Sequence, residues 1–141
     1  MNIGEVARAS GVSAKMIRYY EATGLLAAAP RSAGNYRTYS EADVHTLRFI
    51  RRARDLGFDM TSIGRLLALW RNEHRSSAEV KRIAESHIAG LRERIGQMQA
   101  MLRTLEHLSH HCHGDARPDC PILDDLASRD PARAPEPEQT Q

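Results

Sequence analysis

The sequence predicts a mainly α-helical protein. Arginine, alanine and leucine dominate it, and aromatic residues make up only 5% of the chain, which is typical of helices around a modest core. Apolar residues recur at intervals of three and four in several stretches, the period of a helix face. The 141 residues are enough for one ordinary domain or for a small domain with an extended element.

The first 26 residues predict two short helices joined by a tight turn. The first runs from Ile3 to Ala9 and ends at Ser10-Gly11, and Ser13 can cap a second from Ala14 to Ala22. Such a pair is a helix-turn-helix, whose second helix enters the major groove of DNA. Three side chains would face outward, towards phosphates and base edges: Lys15, Arg18 and Tyr19. A helical hairpin without a DNA partner is the alternative.

A small hairpin is predicted directly after this pair. Gly34-Asn35 can form its turn, and the arms end in the stretch from Tyr36 to Tyr39. A hairpin in this position would be the wing of a winged helix-turn-helix. Arg31, Tyr36 and Arg37 would then contact the DNA backbone beside the groove. An ordinary surface hairpin is the competing interpretation.

Two further helices are predicted to complete the N-terminal part. Ser40 caps the first and Gly57 ends it, and Asp59 caps the second. We expect two apolar stripes to face the core: Val44, Leu47, Ile50, Ala53 and Leu56 in the first helix, and Ile63, Leu66, Leu67 and Trp70 in the second. Residues 1–75 carry twelve Lys/Arg against seven Asp/Glu, whereas residues 76–141 carry eight against eleven. The net charge of +5 in residues 1–75 fits nucleic-acid binding, and the net charge of residues 76–141 is −3.

A long helix is predicted from about residue 77 to residue 109. Its apolar residues follow a heptad pattern: Ala84, Ile88, Leu91, Ile95, Met98, Leu102 and Leu105. A helix of this length spans about 50 Å, more than the small N-terminal part can cover. We therefore expect a homodimer with antiparallel long helices. The alternative is a long helix that packs on another domain.

The two cysteines of the chain, Cys112 and Cys120, follow this helix with seven residues between them. No signal peptide or membrane span is apparent, so we expect a cytoplasmic location with free thiols. Thiolates select soft ions, and two of them suit the linear coordination of Cu(I), Ag(I) or Au(I). Zinc and iron–sulfur centres want four ligands. Pro121 would begin a short helical turn, up to Leu126, whose apolar residues pack inward.

Other interpretations of the loop stay open. Four histidines lie near the first thiol and could complete a zinc site, form a weak secondary site, or simply be solvated: His107, His110, His111 and His113. The thiols could also sense an oxidant. A site with a monovalent ion keeps a net charge of −1, so a nearby cation or helix N-terminus would help. Ser77 and Lys81 of a second copy would supply these if the helices pair antiparallel.

Several motifs closely resemble the MerR family of transcription regulators, from residue 1 to about residue 126. They are Ile3-Gly4-Glu5-Val6-Ala7, the stretch from Ile17 to Leu26 with Arg18-Tyr19-Tyr20-Glu21, Asn35-Tyr36-Arg37-Thr38-Tyr39, and Arg54-Asp55-Leu56-Gly57-Phe58. The resemblance implies a dimer on a palindromic operator within a promoter, with Arg54 joining the DNA contacts named above. It also implies activation by metal-dependent DNA distortion, which lets RNA polymerase engage the promoter.

The loop resembles the copper(I)-sensing CueR/HmrR branch of that family, which implies Cys112 and Cys120 as copper ligands. The family's sensors of mercury, zinc, cadmium and lead have a cysteine where this sequence has Ser77. The expected targets are copper efflux or detoxification genes. The alternatives are a regulator of the same kind that senses zinc or an oxidant, and a metal buffer that binds no DNA. No enzyme signature is present.

Four segments are expected. Residues 1–75 form the DNA-binding domain and residues 76–109 the dimerisation helix. Residues 110–127 form the metal-binding loop and short helix, and residues 128–141 a disordered tail.

Overall fold

The computed structural model describes residues 1–128, and within that range the chain is helical. Its helices are α1 (Ile3–Ser10), α2 (Ala14–Thr23), α3 (Glu41–Asp55), α4 (Met60–Arg71), α5 (Ser77–His111) and α6 (Pro121–Ser128). The chain forms two compact units, one of Met1–Glu85 and one that begins at Ser86. No helix among the described residues is long and apolar enough to cross a membrane. The four segments predicted from the sequence stay a prediction, and positions 129–141 of the expected tail lie outside the described residues.

The helix-turn-helix is confirmed, and its ends are fixed by local hydrogen bonds. Asn2 and Glu5 form a capping box at the start of α1, and Ser13 accepts a hydrogen bond from the Met16 amide at the start of α2. Gly11 ends α1 with φ 74°, in the left-handed region that glycine adopts without strain. The tight turn therefore depends on a residue without a Cβ atom.

The predicted hairpin is reduced to a single antiparallel bridge between Arg31 and Arg37, and no sheet forms in the described part of the chain. Asn35 occupies the turn with φ 64°. The Ser32 amide donates to the Tyr36 carbonyl at 2.7 Å, and the Thr38 amide donates to the Pro30 carbonyl at 2.8 Å. The wing is thus a tight turn with two short arms.

The core of the first unit lies between α1, α2, α3 and α4. Its buried residues include those expected from both apolar stripes: Val44, Leu47, Ile50, Ala53, Ile63 and Leu67. Two expectations were wrong. Leu56, which follows the last residue of α3, is 48% exposed, and Trp70 is 43% exposed. Trp70 instead stacks on Phe49, with ring centroids 4.7 Å apart, on the outer side of α3 and α4.

Helix α5 is confirmed as a long helix of 35 residues, about 50 Å at 1.5 Å per residue. Much of its apolar stripe is exposed: Ile88, Ile95, Met98, Met101, Leu102 and Leu105. Helix α6 is longer than the single turn predicted, and Leu123 and Leu126 are 63% and 70% exposed. The expectation that they pack inward was wrong for the single chain, since nothing within residues 1–128 covers them.

Candidate functional site

Helix α2 presents an exposed polar surface on the side opposite the core. Ile17 and Tyr20 are buried, whereas Lys15, Arg18 and Tyr19 are exposed. This is the orientation that the spacing predicted, because residues three apart share one face of a helix and their neighbours point away. Arg31 and Tyr36 of the wing are exposed as well.

Two arginines from other elements are attached to consecutive residues of α2. Arg54 donates from Nη1 to the Tyr20 hydroxyl at 2.7 Å. Arg37 lies with its Nε 3.7 Å from a carboxylate oxygen of Glu21. Helix α3 and the wing are therefore both fastened to α2. Arg54 remains exposed, while Arg37 is half-buried.

Glu21 and Tyr39 form a buried polar pair that the sequence analysis missed. The Tyr39 hydroxyl donates to Glu21, and the Tyr39 side chain is 3% exposed. Burial, together with the adjacent Glu21 carboxylate, raises the pKa of Tyr39 to about 12. The Met1 ammonium donates to the Tyr39 carbonyl at 3.1 Å. The sequence does not identify Tyr39 as the partner of Glu21, because the two residues are 18 positions apart.

The two cysteines are brought together at the C-terminal end of α5. Their Sγ atoms are 3.9 Å apart, both side chains are partly buried, and both thiols are free. Cys112 follows the last residue of α5, and its amide donates to the Ser109 carbonyl at 3.1 Å. Cys120 precedes Pro121, the first residue of α6. The ends of two helices therefore hold the two sulfurs.

Cys120 occupies the position that caps the N-terminus of α6. The Asp124 amide donates to the Cys120 carbonyl at 3.0 Å, and the amides of Leu123 and Ile122 hydrogen-bond the thiol side chain. These amides lower the pKa of the Cys120 thiol, because N–H groups at a helix N-terminus stabilise negative charge. The thiolate, the form that binds metals, is thereby stabilised relative to the thiol.

The loop between the cysteines is braced by one ion pair. Arg117 Nη2 lies 2.8 Å from Asp115 Oδ2, and the Arg117 amide donates to Asp115 Oδ1 at 2.9 Å. The guanidinium holds the pKa of the Asp115 carboxyl below its usual range. Gly114, with φ 65°, supplies the left-handed conformation that lets the chain leave α5.

The other candidate ligands do not join the sulfurs. Within residues 1–128 no group of three or more His, Cys, Asp or Glu side chains is arranged to hold a metal ion. His107, His110 and His111 occupy the last turns of α5, and His113 is exposed in the loop. Ser77 is the first residue of α5, and Lys81, near it, lies 3.9 Å from Glu85 on the surface. Both are at the end of α5 opposite to Cys112.

The helix-turn-helix, its wing and the long helix that follows define a class, the helix-turn-helix transcription regulators. Residues 1–70 match the family described as MerR HTH family regulatory protein, and residues 44–108 match the one described as MerR, DNA binding. The chain belongs to the MerR family. Its members are regulators of transcription, which confirms the expectation of a protein that is not an enzyme.

Curated relatives and a solved structure are similar over most of the chain. The HTH-type transcriptional regulator HmrR of Sinorhizobium medicae is 61% identical, over 90% of this chain and 86% of that one. The heavy metal-dependent transcription regulator 2 of Rhizobium meliloti is 59% identical, over 91% and 87%. The crystal structure of the regulator PbrR691 from Ralstonia metallidurans CH34 in complex with lead(II) has a TM-score of 0.78 and 33% identity, over 89% and 98%.

Proposed function

We propose that the protein is a copper(I)-responsive transcription regulator that binds promoter DNA as a homodimer. The observation that carries the metal part is the pair of free thiols 3.9 Å apart, held by the ends of α5 and α6. Its similarity to the heavy metal-dependent transcription regulator 2 of Rhizobium meliloti supports a metal-dependent regulator in general. The choice of metal depends on the chemistry of this chain's own ligands.

The number of ligands favours a soft monovalent ion. At a metal–sulfur bond of about 2.3 Å, one ion can bridge sulfurs up to about 4.6 Å apart, and the observed 3.9 Å lies within that span. At that bond length, sulfurs 3.9 Å apart subtend about 116° at the ion, so a linear bridge requires the two sulfurs to move apart to about 4.6 Å. Zinc needs four ligands, and no third His, Cys, Asp or Glu side chain converges on the sulfurs in the described part of the chain. Cu(I), with Ag(I) and Au(I) as chemical analogues, is satisfied by two thiolates.

The start of α6 would stabilise the residual negative charge of such a site. Two thiolates and one monovalent ion leave −1, and the amides of Ile122 and Leu123 face the Cys120 sulfur. This gives the loop a source of stabilisation within its own chain. Arg117 is paired with Asp115 and is already neutralised.

The exposed apolar stripe of α5 supports dimerisation. Residues such as Ile95 and Leu102 are more than half exposed on a helix about 50 Å long, and a second copy of the same helix would bury them. Antiparallel pairing would bring Ser77 and Lys81 of the second copy towards the cysteine loop. Ser77, which lacks a thiolate, would then leave the ion with two sulfurs.

The polar surface of α2 supports DNA binding. Lys15, Arg18 and Tyr19 would enter the major groove, and the wing residues Arg31, Tyr36 and Arg37 with Arg54 would contact phosphates. In the proposed mechanism, a bound ion orders the loop and α6 against the dimer. The dimer then distorts a palindromic operator so that RNA polymerase engages the promoter. The ion acts by binding the distorting state more tightly than the resting state.

The metal assignment is tested by titrating Cu(I) and Zn(II) against a competing chelator, with the wild-type chain and the variants Cys112→Ser and Cys120→Ser. We expect one Cu(I) per chain with two sulfur neighbours in X-ray absorption, and a loss of at least about tenfold in affinity in each variant. Asp119→Ala, which changes an exposed residue of the same loop, is the control. Tight zinc binding with four ligands, or a copper response that survives Cys112→Ser, would refute the proposal.

The DNA assignment is tested by footprinting on promoters upstream of the chain's own gene, at several salt concentrations. Arg31→Ala, which removes one predicted phosphate contact, should reduce the slope of log affinity against log salt by about 0.9. Arg65→Ala, an exposed arginine of α4 outside the proposed surface, should leave the slope unchanged. The absence of any protected site would instead favour a metal buffer.

A further inference from the structure

We propose that His107 and His111 form a second metal site, separate from the two thiols, for divalent first-row ions that take square-planar or octahedral coordination, such as Ni(II) and Cu(II). The two residues are four positions apart in α5, so they lie one above the other on one face of the helix. Their ring centroids are 4.5 Å apart, and both side chains are exposed.

The ring separation fits two imidazoles on one ion. With a metal–nitrogen bond of 2.0–2.1 Å, the ion lies about 3.2 Å from each ring centroid, so rings 4.5 Å apart subtend about 90° at the ion. This is the angle between adjacent ligands in square-planar or octahedral coordination. The rings now lie edge to face at 70°, and rotation of the exposed side chains is enough to direct a nitrogen of each to a common point.

His110 is three residues after His107, and its ring lies 5.5 Å from that of His111, farther than the 4.5 Å within the pair. The pair therefore supplies two ligands, and water completes the shell, in agreement with the lack of any convergent group of three within residues 1–128.

The two sites select different ions because their ligands differ. Imidazole suits Zn, Cu(II) and Ni, whereas a pair of thiolates selects soft Cu(I). The imidazole pair also lies at the C-terminal end of α5, with His111 in its last turn, where the helix dipole favours a cation. Because the Cys112 amide donates to the Ser109 carbonyl at 3.1 Å, an ion that bridges His107 and His111 orders the turn to which the first thiol is attached.

Nickel(II) titration of the full-length chain tests the site. Calorimetry is done on the Cys112→Ser/Cys120→Ser variant, so that thiolates do not contribute. We expect one Ni(II) per chain, and a loss of at least about tenfold in affinity with His107→Ala or His111→Ala. His74→Ala removes an exposed histidine outside the helices and should change nothing.

A register variant separates geometry from histidine content. Ser109→His/His111→Ala keeps the number of histidines but moves one to the opposite side of the helix, and it should bind as weakly as His111→Ala. Full affinity in this variant, or in His107→Ala, would overturn the proposal.

Hydrogen exchange of the Cys112→Ser/Cys120→Ser variant gives a second measurement. Ni(II) should slow exchange of the amides in the last turn of α5, and this protection should vanish in His107→Ala. Protection that persists there would also overturn the site. Either failure leaves the copper(I) test untouched, since that test depends on the cysteines.

Discussion

The buried pair of Tyr39 and Glu21 makes stability at alkaline pH dependent on one hydroxyl. Burial and the neighbouring carboxylate raise the Tyr39 pKa from 10 to about 12, so the folded state holds this proton more tightly than the unfolded state does. The resulting stabilisation is complete below pH 10 and is lost as pH rises through 12. A shift of about two units at 1.36 kcal/mol per unit corresponds to roughly 3 kcal/mol.

Urea unfolding of the wild-type chain and of Tyr39→Phe, measured at intervals from pH 8.5 to 12, isolates this contribution. Phenylalanine cannot ionise or donate a hydrogen bond, so the variant should be less stable at pH 8.5 by roughly 1–3 kcal/mol. The difference between the two proteins should then shrink towards pH 12, because only the wild type loses the contribution of Tyr39. Other ionisable groups are common to both chains and cancel in the difference.

Tyr36→Phe is the matched control, since Tyr36 is 76% exposed and its hydroxyl lies on the surface of the wing. Its unfolding free energy should run parallel to that of the wild type at every pH. A Tyr39→Phe curve that is equally parallel would refute the reasoning, because it would mean that the hydroxyl titrates alike in the folded and unfolded states.

Two further predictions concern the long helix and the tight turn. Ile95→Lys places a charge in the exposed apolar stripe of α5 and should shift the chain from the proposed dimer to a monomer in analytical ultracentrifugation. Glu93→Lys, off that stripe, should not. A dimer that survives Ile95→Lys would contradict the proposed pairing of the long helices. Gly11→Ala should lower the unfolding free energy by about 1–2 kcal/mol in urea, because φ is 74° and the new Cβ would overlap the Arg51 guanidinium. Gly64→Ala, whose Cβ meets open space inside α4, should instead raise it by about 0.5–1 kcal/mol; equal effects would contradict the strain argument.

The helices of the first unit were predictable because their ends are marked by local chemistry. Ser13, Ser40 and Asp59 each cap the helix that follows, as their positions indicated. The position of Trp70 was predicted wrongly from its spacing. It lies on α4 at the expected interval, but the apolar stripe of α4 is wider than the surface that covers it. The Trp70 ring therefore stacks on Phe49 outside the core.

The candidate metal site was predictable in its ligands and not in its electrostatics. The two cysteines and the proline after the second one are visible in the sequence, and the glycine and proline of the loop forbid a continuous helix. That the Cys120 sulfur would accept from the first amides of α6 depends on the conformation of the loop. The pair of Glu21 and Tyr39 was not predicted for a similar reason, because the two residues are far apart in the sequence.

The placement of the two sulfurs at helix ends has a consequence for how the loop can evolve. Joining the ends of a flexible segment costs entropy that grows only logarithmically, so doubling the number of residues between the cysteines would cost about 0.6 kcal/mol, less than a threefold change in affinity. Loss of the turn that carries Cys112, or of the α6 amides that face Cys120, would remove the arrangement that keeps the sulfurs 3.9 Å apart. We therefore expect the number of intervening residues to tolerate change better than the two junctions with helices.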